Sequence, residues 1–352
     1  MELRKEEIAD LYSSFYDYHS GFRDVHGRVT RAFSSNPSIL NPVLSRALLE
    51  QGFKPHYPHN KKFAALISHD IDFLKFNNSI TYRLRSLIKS PFKQNKLEGN
   101  FKEILFNGFN SKWSVEKVVN FLSEHNAKST FFFLSLNSHE KDYNYNLFEI
   151  KESLSLLEKN GFEIGLHGGH LAFNDADKIK SELTNLQSFC TSKVVGYRNH
   201  FLKFNMPYTW RYLLQNDFLY DATFGYPDCC GFRNGLCYPF LPFEKAEGKF
   251  IDILEIPLVV MDATLFYYLK LDAKESYKLI TRLIDEVENC HGVFTILWHN
   301  NNFTGEMGKL FKSITEYLSR KDPWFATNAE LASWWRQEGL AEKMVDTLGF
   351  QK

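Results

Sequence analysis

Four segments of the sequence end an apolar run with side chains that can bind a metal ion or move a proton. These segments read ALISHDIDF, FEIGLHGGH, VVGYRNHFL and VFTILWHN. Each apolar run predicts a buried strand, and barrel enzymes carry their catalytic side chains at the carboxyl ends of such strands. The four segments therefore predict a single site that combines carboxylates, imidazoles and a guanidinium group.

The first segment supplies two carboxylates, Asp70 and Asp72, which are two residues apart. Because side chains alternate along a strand, both point to the same side. Two carboxylates this close repel each other unless a cation or a shared proton lies between them. We therefore predict that one is a metal ligand and the other a general base. The alternative is an acidic turn that simply ends the strand.

The second segment supplies His167 and His170, which are separated by two glycines. Glycine allows the backbone to approach a ligand closely, and neutral imidazole is a frequent ligand of Zn²⁺. A single histidine would more often be a core or surface residue, but two histidines and a matching pair of acids favour His167 as a metal ligand. His170 lies in a glycine-broken loop, where it is either a second ligand or a surface residue.

The third and fourth segments add Arg198, His200 and His299. An arginine can hold a carboxylate base in a bidentate pair and keep it charged. His200, two residues after Arg198, is either a further metal ligand or a residue that lines the pocket. A histidine that titrates near neutral pH, such as His299, can protonate a leaving amine.

The elements that must position these side chains alternate between short apolar runs and longer segments with helical spacing. This alternation predicts repeated βα units around a parallel sheet, an α/β fold of the TIM-like barrel type. The predicted strands are 63–68, 129–134, 162–166, 193–197, 221–224, 253–258 and 293–298. The predicted helices between them are 115–125, 150–160, 175–189, 206–216, 274–288 and 309–318.

Residues 1–60 do not follow this alternation. Their pattern predicts helices at 6–18 and 42–51, followed by a linker at 54–59 that is rich in proline and histidine. We therefore expect an N-terminal helical extension packed on a barrel domain of residues 61–340.

A long insertion, residues 72–113, separates the first two predicted strands. Within it, the segment 80–96 predicts an amphipathic basic helix that makes peripheral contact with an anionic membrane surface, or binds a diphosphate-bearing substrate. The alternative is a helix packed on the core with a solvated basic side.

The composition predicts a folded protein with no general attraction for nucleic acid. The 352 residues are 44% hydrophobic and 16% aromatic, which argues against disorder. Lys plus Arg and Asp plus Glu both number 42, so the formal net charge is zero and no nucleic-acid partner is expected.

Three features predict a cytoplasmic protein. The segment MELRKEEIADLYSSFYDYHSGFRDVHG carries charges throughout and lacks the apolar core of a secretory signal. No segment approaches the ~18 consecutive apolar residues of a membrane span. The five cysteines are odd in number and irregularly spaced, which fits reduced thiols better than a disulfide framework.

Over residues 63–335 the motifs resemble those of the polysaccharide deacetylases, the NodB-homology group of carbohydrate esterase family four. HDID resembles the motif that supplies the base and a metal ligand, which implies Asp70 as base and Asp72 as ligand. HGGH resembles the motif with two histidine ligands and maps the first onto His167. The family usually places its second histidine four residues later, where this sequence has Leu171.

Three candidates for the missing ligand follow from this departure: His170, His200 and water. Arg198 resembles the arginine that orients the base. YDATFGY, with Asp221, resembles the motif that places an acid near the site, and ILWH, with His299, resembles the final Leu-x-His motif.

The resemblance implies a distorted (β/α)7 barrel and a divalent metal, with Zn²⁺ as the first expectation. It implies hydrolysis of an N-acetyl group, in which the metal polarises the acetamide carbonyl and Asp70 takes a proton from the attacking water. His299 then protonates the departing nitrogen, with Asp221 or Asp262 orienting its imidazole.

The loop GYPDCCGFRNGLCYPF follows the fifth predicted strand and is expected to overhang the pocket. Tyr226, Phe232 and Arg233 in this loop, and Trp298 beside His299, are the candidate substrate-binding residues, with packing as the alternative.

A cytoplasmic enzyme cannot reach a mature cell wall. The expected partner is therefore an N-acetylated intracellular precursor: a nucleotide sugar, a lipid-linked oligosaccharide, or a nascent capsule or O-antigen unit. Two other functions stay open at this point. One is an amidohydrolase that acts on small non-sugar amides, and the other is a catalytically inert relative that binds glycans.

Overall fold

The structure is a computed structural model that describes residues 4–34, 36–76, 111–112 and 114–350. Its main feature is a nine-stranded sheet in which every pairing is parallel. The strands of the described chain are β1 (Ala64–Ile71), β2 (Lys75–Phe76), β3 (Ser111–Lys112), β4 (Ser129–Leu134), β5 (Glu163–Gly168), β6 (Gly196–Asn199), β7 (Tyr220–Asp221), β8 (Phe243–Glu244), β9 (Lys249–Phe250), β10 (Leu254–Glu255), β11 (Val260–Met261), β12 (Val293–Leu297) and β13 (Trp324–Phe325).

The sheet curves into a half-barrel whose strand order is β10-β7-β6-β5-β4-β1-β12-β11. Strand β1 is buried along its whole length and lies at the centre, between β12 on one side and β4 and β13 on the other. The remaining four strands form two antiparallel pairs, β2 with β3 and β8 with β9. The predicted α/β barrel is therefore confirmed, and each of the seven predicted strands overlaps an observed one.

The segment 254–261 closes the barrel by crossing from one end of the strand path to the other. The backbone N–H of Ile256 donates to the carbonyl of Asp221, while that of Val259 donates to the hydroxyl of Thr295 at 2.8 Å. The sequence predicts one strand over 253–258, whereas the structure has two short strands, β10 and β11, on either side of Pro257. Proline has no N–H to give to a sheet, which explains the interruption.

Helices surround the sheet. Those of the described chain are α1 (Lys5–Ser13), α2 (Phe15–His19), α3 (Val43–Glu50), α4 (Val115–Glu124), α5 (Lys151–Lys159), α6 (Ala176–Gln187), α7 (Tyr208–Gln215), α8 (Ala273–Asn289), α9 (Gly305–Lys321), α10 (Asn328–Gln337) and α11 (Leu340–Thr347). Short 3₁₀ turns lie at Arg31–Phe33, Pro58–Asn60, Leu147–Ile150, Ala172–Asn174, His200–Leu202 and Asn300–Asn302, and a π-helix at Thr264–Tyr268. No helix among these is long and apolar enough to cross a membrane.

The N-terminal segment packs directly on the barrel. The hydroxyl of Tyr12 donates to the carbonyl of Leu241 at 2.9 Å, and the side-chain amide of Asn36 donates to the carbonyl of Phe232 at 2.7 Å. The helix predicted at 6–18 is divided into α1 and α2, because Ser14 between them adopts a left-handed conformation with φ 49°. The predicted basic helix at 80–96 lies outside the described residues.

Candidate active site

The carboxyl ends of four sheet strands meet at one edge and bring the predicted polar side chains together. Strand β1 carries Asp70 and leads to Asp72, and strand β5 carries His167. Strand β6 carries Arg198 and leads to His200. His299 directly follows Trp298 at the end of β12 and completes the set. Its side chain is 18% exposed and that of His167 is 1% exposed, so the site opens on the His299 side.

Asp72, His167 and His200 form a compact cluster whose ligand atoms all lie within 4.8 Å of one another. The Nε2 atom of His167 lies 3.4 Å from Oδ1 of Asp72 and 3.1 Å from Nδ1 of His200. The distance between Oδ1 of Asp72 and Nδ1 of His200 is 3.5 Å. Three such donors around one point leave a further coordination position for a substrate or water, as in catalytic metal sites.

Two observations show that this donor set suits a divalent cation. Oδ1 of Asp72 is buried and, among the described residues, has no hydrogen-bond partner, which is costly for a carboxylate oxygen unless a cation faces it. Nδ1 of His167 lies 2.9 Å from the carbonyl oxygen of Arg198. The ring therefore donates through Nδ1 and keeps the lone pair of Nε2 for the cluster.

The protonation of the cluster also favours positive charge at its centre. Burial opposes ionisation of Asp72, but the imidazoles of His200, His167 and His299 outweigh it and hold its pKa well below the usual range. Burial lowers the pKa of His200 to about 4, so this ring is neutral. Burial also acts to lower the pKa of His167, but Asp70 and Asp72 outweigh it and raise that pKa.

Asp70 is the carboxylate held by the predicted arginine. Nη1 of Arg198 donates to Oδ1 of Asp70 at 3.0 Å and to the hydroxyl of Ser68 at 2.9 Å. The same guanidinium donates from Nε to the carbonyl of Ala222, and it lies over the ring of Phe132. Asp70 is thus fixed through one oxygen, while its Oδ2 lies 3.6 Å from Nε2 of His167 and faces the cluster.

His299 lies beside Asp72 of the cluster and is oriented by Asp262. Nδ1 of His299 lies 2.6 Å from Oδ1 of Asp262, and its Nε2 lies 3.8 Å from Oδ2 of Asp72. Asn302 donates to Oδ2 of Asp262 at 2.7 Å and fixes that carboxylate. Burial acts to lower the pKa of His299, but Asp262 outweighs it and raises the pKa to about 10.

Asp221 lies in strand β7 and is placed away from His299. Its Oδ1 accepts hydrogen bonds from the backbone N–H and the hydroxyl of Thr223. Its partner across the sheet is the buried Glu255 of strand β10, and Oδ2 of Asp221 is buried and has no hydrogen-bond partner among the described residues. The orienting role that the motif resemblance assigns to Asp221 or Asp262 therefore falls geometrically to Asp262.

His170 is placed outside the cluster, at the rim. Its Nε2 lies 3.2 Å from Nζ of Lys141 and 3.3 Å from Nζ of Lys203, and its Nδ1 lies 3.3 Å from Asp142. His200 occupies the third corner of the cluster instead. Of the two candidates for the third protein ligand, His200 lies beside Asp72 and His167, and His170 does not.

Local backbone geometry explains how His167 and His200 reach this position. A Cβ atom on Gly168 would lie 2.0 Å from the hydroxyl of Tyr197, so strands β5 and β6 can approach this closely only with glycine there. After His200, Phe201 and Leu202 both adopt left-handed conformations with φ 63° and 52°. Such strained turns are concentrated at functional sites.

The candidate substrate-binding residues lie in the interior. The hydroxyl of Tyr226 donates to Asp17 of α2 at 2.6 Å. Arg233 donates to the carbonyl of Gly225 and stacks on aromatic rings. Phe232 and Trp298 are fully buried. The packing alternative accounts for all four residues in this structure, because Asp17 and its neighbours cover the loop that the sequence places over the pocket.

The sequence motifs do not single out Ser68 or Asn302, although both are part of the site. Ser68 lies on the same side of β1 as Asp70 and binds Arg198. Asn302 follows His299 in the sequence HNNN and holds Asp262. The alternation of β1 identifies the side on which Ser68 lies. No local pattern distinguishes Asn302 from its neighbours.

Sequence comparison finds no matching protein-family model and no matching curated protein. Comparison with solved structures finds a protein named as a polysaccharide deacetylase from Mycobacterium smegmatis. It is 16% identical, with a TM-score of 0.56 over 81% of this chain and 94% of that one.

Two further structures match with lower TM-scores. The peptidoglycan deacetylase PdaC of Bacillus subtilis, in a mutant form, is 13% identical with a TM-score of 0.42, over 82% of this chain and 98% of that one. BA3943 of Bacillus anthracis, a carbohydrate esterase family four pseudoenzyme, is 12% identical. Its TM-score is 0.41, over 78% of this chain and 66% of that one. The similarity to the Mycobacterium smegmatis structure shows that the chain has the fold of the polysaccharide deacetylases, as its motifs predict.

Proposed function

We propose that this protein is a metal-dependent hydrolase that removes the N-acetyl group from a sugar or glycan. The observation that carries the proposal is the arrangement of three groups. The buried Asp72, His167 and His200 cluster lies between Asp70, fixed by Arg198, and His299, which contacts Asp262. A metal centre flanked by a carboxylate and an oriented imidazole is suited to acyl transfer to water.

Asp72, His167 and His200 would hold the cation, and Zn²⁺ is the expected ion for a donor set of two histidines and one carboxylate. When bound, the cation supplies Lewis-acid polarisation of the acyl carbonyl and lowers the pKa of water.

Asp70 is the proposed general base. Its Oδ1 is held by Arg198 at 3.0 Å, so Oδ2 is oriented toward the cluster and can take a proton from the attacking water. The hydrogen bond from Arg198 thus fixes the orientation of this carboxylate.

His299 is the proposed general acid. Its contact with Asp262 fixes the ring through Nδ1, and Nε2 then faces the cluster, from which it can pass a proton to the leaving nitrogen. Base and acid thus contact different members of the cluster, Asp70 near His167 and His299 near Asp72, and both can act on one acyl group.

The proposed substrate is an N-acetylated intracellular precursor, and the proposed location is the cytoplasm. Supporting this, all five cysteines are free, and Cys230, Cys237 and Cys290 are buried as thiols. Free thiols are typical of proteins in reducing compartments. Detection of the enzyme outside the cell together with deacetylated extracellular glycan would contradict this location.

The experiment that tests the function combines elemental analysis with acetate release from N-acetylated sugars. Wild type is expected to hold one metal ion per chain and to release acetate. We expect both properties to be lost in Asp72→Ala, His167→Ala and His200→Ala. His170→Ala is the matched control for metal content, because its ring lies outside the cluster. Asp70→Asn is expected to retain the metal while acetate release falls by ~10²-fold or more.

A second matched pair tests His299. His291 and His299 flank strand β12 at opposite ends, and His291 contacts only the carbonyl of Lys62 among the hydrogen bonds of its ring. His299→Asn is expected to lose acetate release with metal retained, whereas His291→Asn is expected to retain both. A wild-type protein that holds no metal and releases no acetate would overturn the proposal in favour of glycan binding. A wild-type protein that holds the metal but hydrolyses only small non-sugar amides would indicate an amidohydrolase.

A further inference from the structure

A group of basic side chains lies on the rim of the candidate site. Lys141 follows strand β4, His170 follows β5, and Lys203 follows the 3₁₀ turn after β6. Because these three strands are neighbours in the sheet, their loops place the two lysines on either side of the histidine. We call these three residues the rim cluster.

The hydrogen bonding of the rim cluster is incomplete. Nζ of Lys141 and Nζ of Lys203 lie 3.2 Å and 3.3 Å from the same atom, Nε2 of His170. A neutral imidazole nitrogen has one lone pair in the plane of the ring and accepts one such hydrogen bond. Among the described residues, His170 can therefore accept from only one of the two ammonium groups that approach it.

The charges of the rim cluster are also unbalanced. Within the described part of the chain neither Lys141 nor Lys203 forms an ion pair with a carboxylate, and the nearest acid, Asp142, lies on the far ring nitrogen of His170. Burial and the neighbouring Lys141 lower the pKa of Lys203. The two ammonium groups converge on the side of His170 opposite to the nitrogen that contacts Asp142, and their charges attract an anion placed between them.

The rim cluster adjoins the proposed metal ligands through one aromatic ring. The ring centroid of Phe201 lies 4.5 Å from that of His200 and 5.4 Å from that of His170. A ligand group held by the lysines would therefore lie on the His200 side of the proposed metal cluster. The backbone of Phe201 is held in a left-handed conformation with φ 63°, which fixes this spacing.

We infer that Lys141 and Lys203 bind a phosphoryl group of the substrate, so that the proposed deacetylase acts on N-acetylated sugars that carry a phosphate. This inference rests on the proposed function and specifies its substrate class. A phosphoryl group has three oxygens and a charge near −2, which matches two converging ammonium groups. Lysine binds phosphate as a point charge.

The test compares kcat/KM for three substrates: N-acetylglucosamine, its phosphorylated forms including the uridine-diphosphate sugar, and an N-acetylated uronic acid. Wild type is expected to prefer the phosphorylated sugars. In Lys141→Gln and Lys203→Gln the ratio of kcat/KM for phosphorylated over neutral sugar is expected to fall by about tenfold or more for each lysine. Lys203→Arg, which keeps the charge, is expected to restore most of the preference.

Lys117→Gln is the matched control, because this exposed lysine of α4 lies outside the rim cluster. An unchanged ratio in both glutamine variants, with wild type still releasing acetate, would overturn the phosphoryl site and leave the deacetylase standing. Wild type could instead prefer the uronic acid over the phosphorylated sugars, and both glutamine variants could lose that preference. The lysines would then bind a carboxylate rather than a phosphoryl group, which would likewise overturn the inference.

If no sugar is deacetylated, calorimetric titration separates the two proposals. Binding of N-acetylglucosamine 1-phosphate that is stronger than binding of the neutral sugar, and weakened in Lys141→Gln and Lys203→Gln, supports the phosphoryl site even though the proposed activity has failed. Equal binding of both sugars by wild type contradicts it.

Discussion

Asp262 and His299 are joined through two contacts, one to the imidazole and one to the backbone. Oδ1 of Asp262 lies 2.6 Å from Nδ1 of His299, and Oδ2 accepts the backbone N–H of His299 at 2.8 Å. Because the two residues follow neighbouring strands, β11 and β12, this carboxylate fixes both the position of the chain and the orientation of the ring.

From this relationship we predict that Asp262→Asn lowers kcat for deacetylation by ~10²-fold while the metal content stays unchanged. The amide can keep the shape of the contact, but it removes the negative charge that favours a protonated ring. Steady-state kinetics together with elemental analysis check the prediction.

Asp221→Asn is the comparison variant, since the motif resemblance points to Asp221 while the geometry points to Asp262. Asp221 has no contact with His299 within the described hydrogen bonds. We expect the loss in kcat to be much larger for Asp262→Asn than for Asp221→Asn. The reverse order would assign the orienting role to Asp221.

The long buried strands made the central part of the site predictable. Asp70 lies in β1 and Asp72 follows it, His167 lies in β5 and Arg198 in β6, and in each case an apolar run identified the strand. For Asp70 and Asp72, strand alternation also identified the face. The barrel fold was predictable for the same reason, because the strands and helices alternate regularly along the chain.

Other parts of the site depend on contacts that no local pattern encodes. Asp262 follows a strand of two residues and reaches His299 only because the segment 254–261 closes the barrel. The choice between His170 and His200 depends on a left-handed turn at Phe201, an aromatic residue that gives no sequence signal for it. Tyr226 is of a type that can bind sugars, but α2 covers it.

The buried acids Asp221 and Glu255 give a prediction on stability. Burial raises the pKa of Asp221 to about 6, and burial together with Asp221 raises the pKa of Glu255 further. A group whose pKa is higher in the folded state holds its proton there, so the stability it provides is present at low pH. That stability is lost as the pH rises through the folded pKa.

We therefore predict that wild type loses stability as the pH rises from about 4 to above 6, by up to ~1.4 kcal/mol per pH unit for each extra proton held. We expect the two facing carboxyl groups to share a proton, and in Asp221→Asn the amide can donate to Glu255 in its place, so the free energy of unfolding should fall less over this range. Urea unfolding at four pH values checks this. Parallel pH profiles for the two proteins would contradict a shared proton.

Metal binding is expected to stabilise the fold, because Asp72, His167 and His200 come from three different strands or the turns after them. A ligand present at a hundred times its dissociation constant stabilises the native state by ~2.7 kcal/mol. We predict that a chelator lowers the Tm of wild type and of His170→Ala, whereas His200→Ala responds to neither chelator nor added Zn²⁺. Differential scanning calorimetry distinguishes these responses, and an equal shift in both histidine variants would contradict the assignment of His200.

The close approach of β5 and β6 at Gly168 gives the last prediction. A Cβ there would meet the hydroxyl of Tyr197 at 2.0 Å and its ring at 2.4 Å, so Gly168→Ala must push the two strands apart. We expect a loss of ~1–3 kcal/mol in the free energy of unfolding. We also expect weaker metal binding, because His167 lies directly before Gly168 and His200 follows Tyr197 on the neighbouring strand.

Gly248→Ala serves as the control, since a Cβ at this position meets nothing within 4 Å and only the backbone with φ 66° opposes it. Such a change costs ~1–2 kcal/mol through backbone strain alone and should leave metal affinity as in wild type. Urea unfolding and competition with a chromophoric chelator measure both quantities. If Gly168→Ala loses stability yet binds metal as tightly as Gly248→Ala, then the spacing of the strands does not set the position of His167.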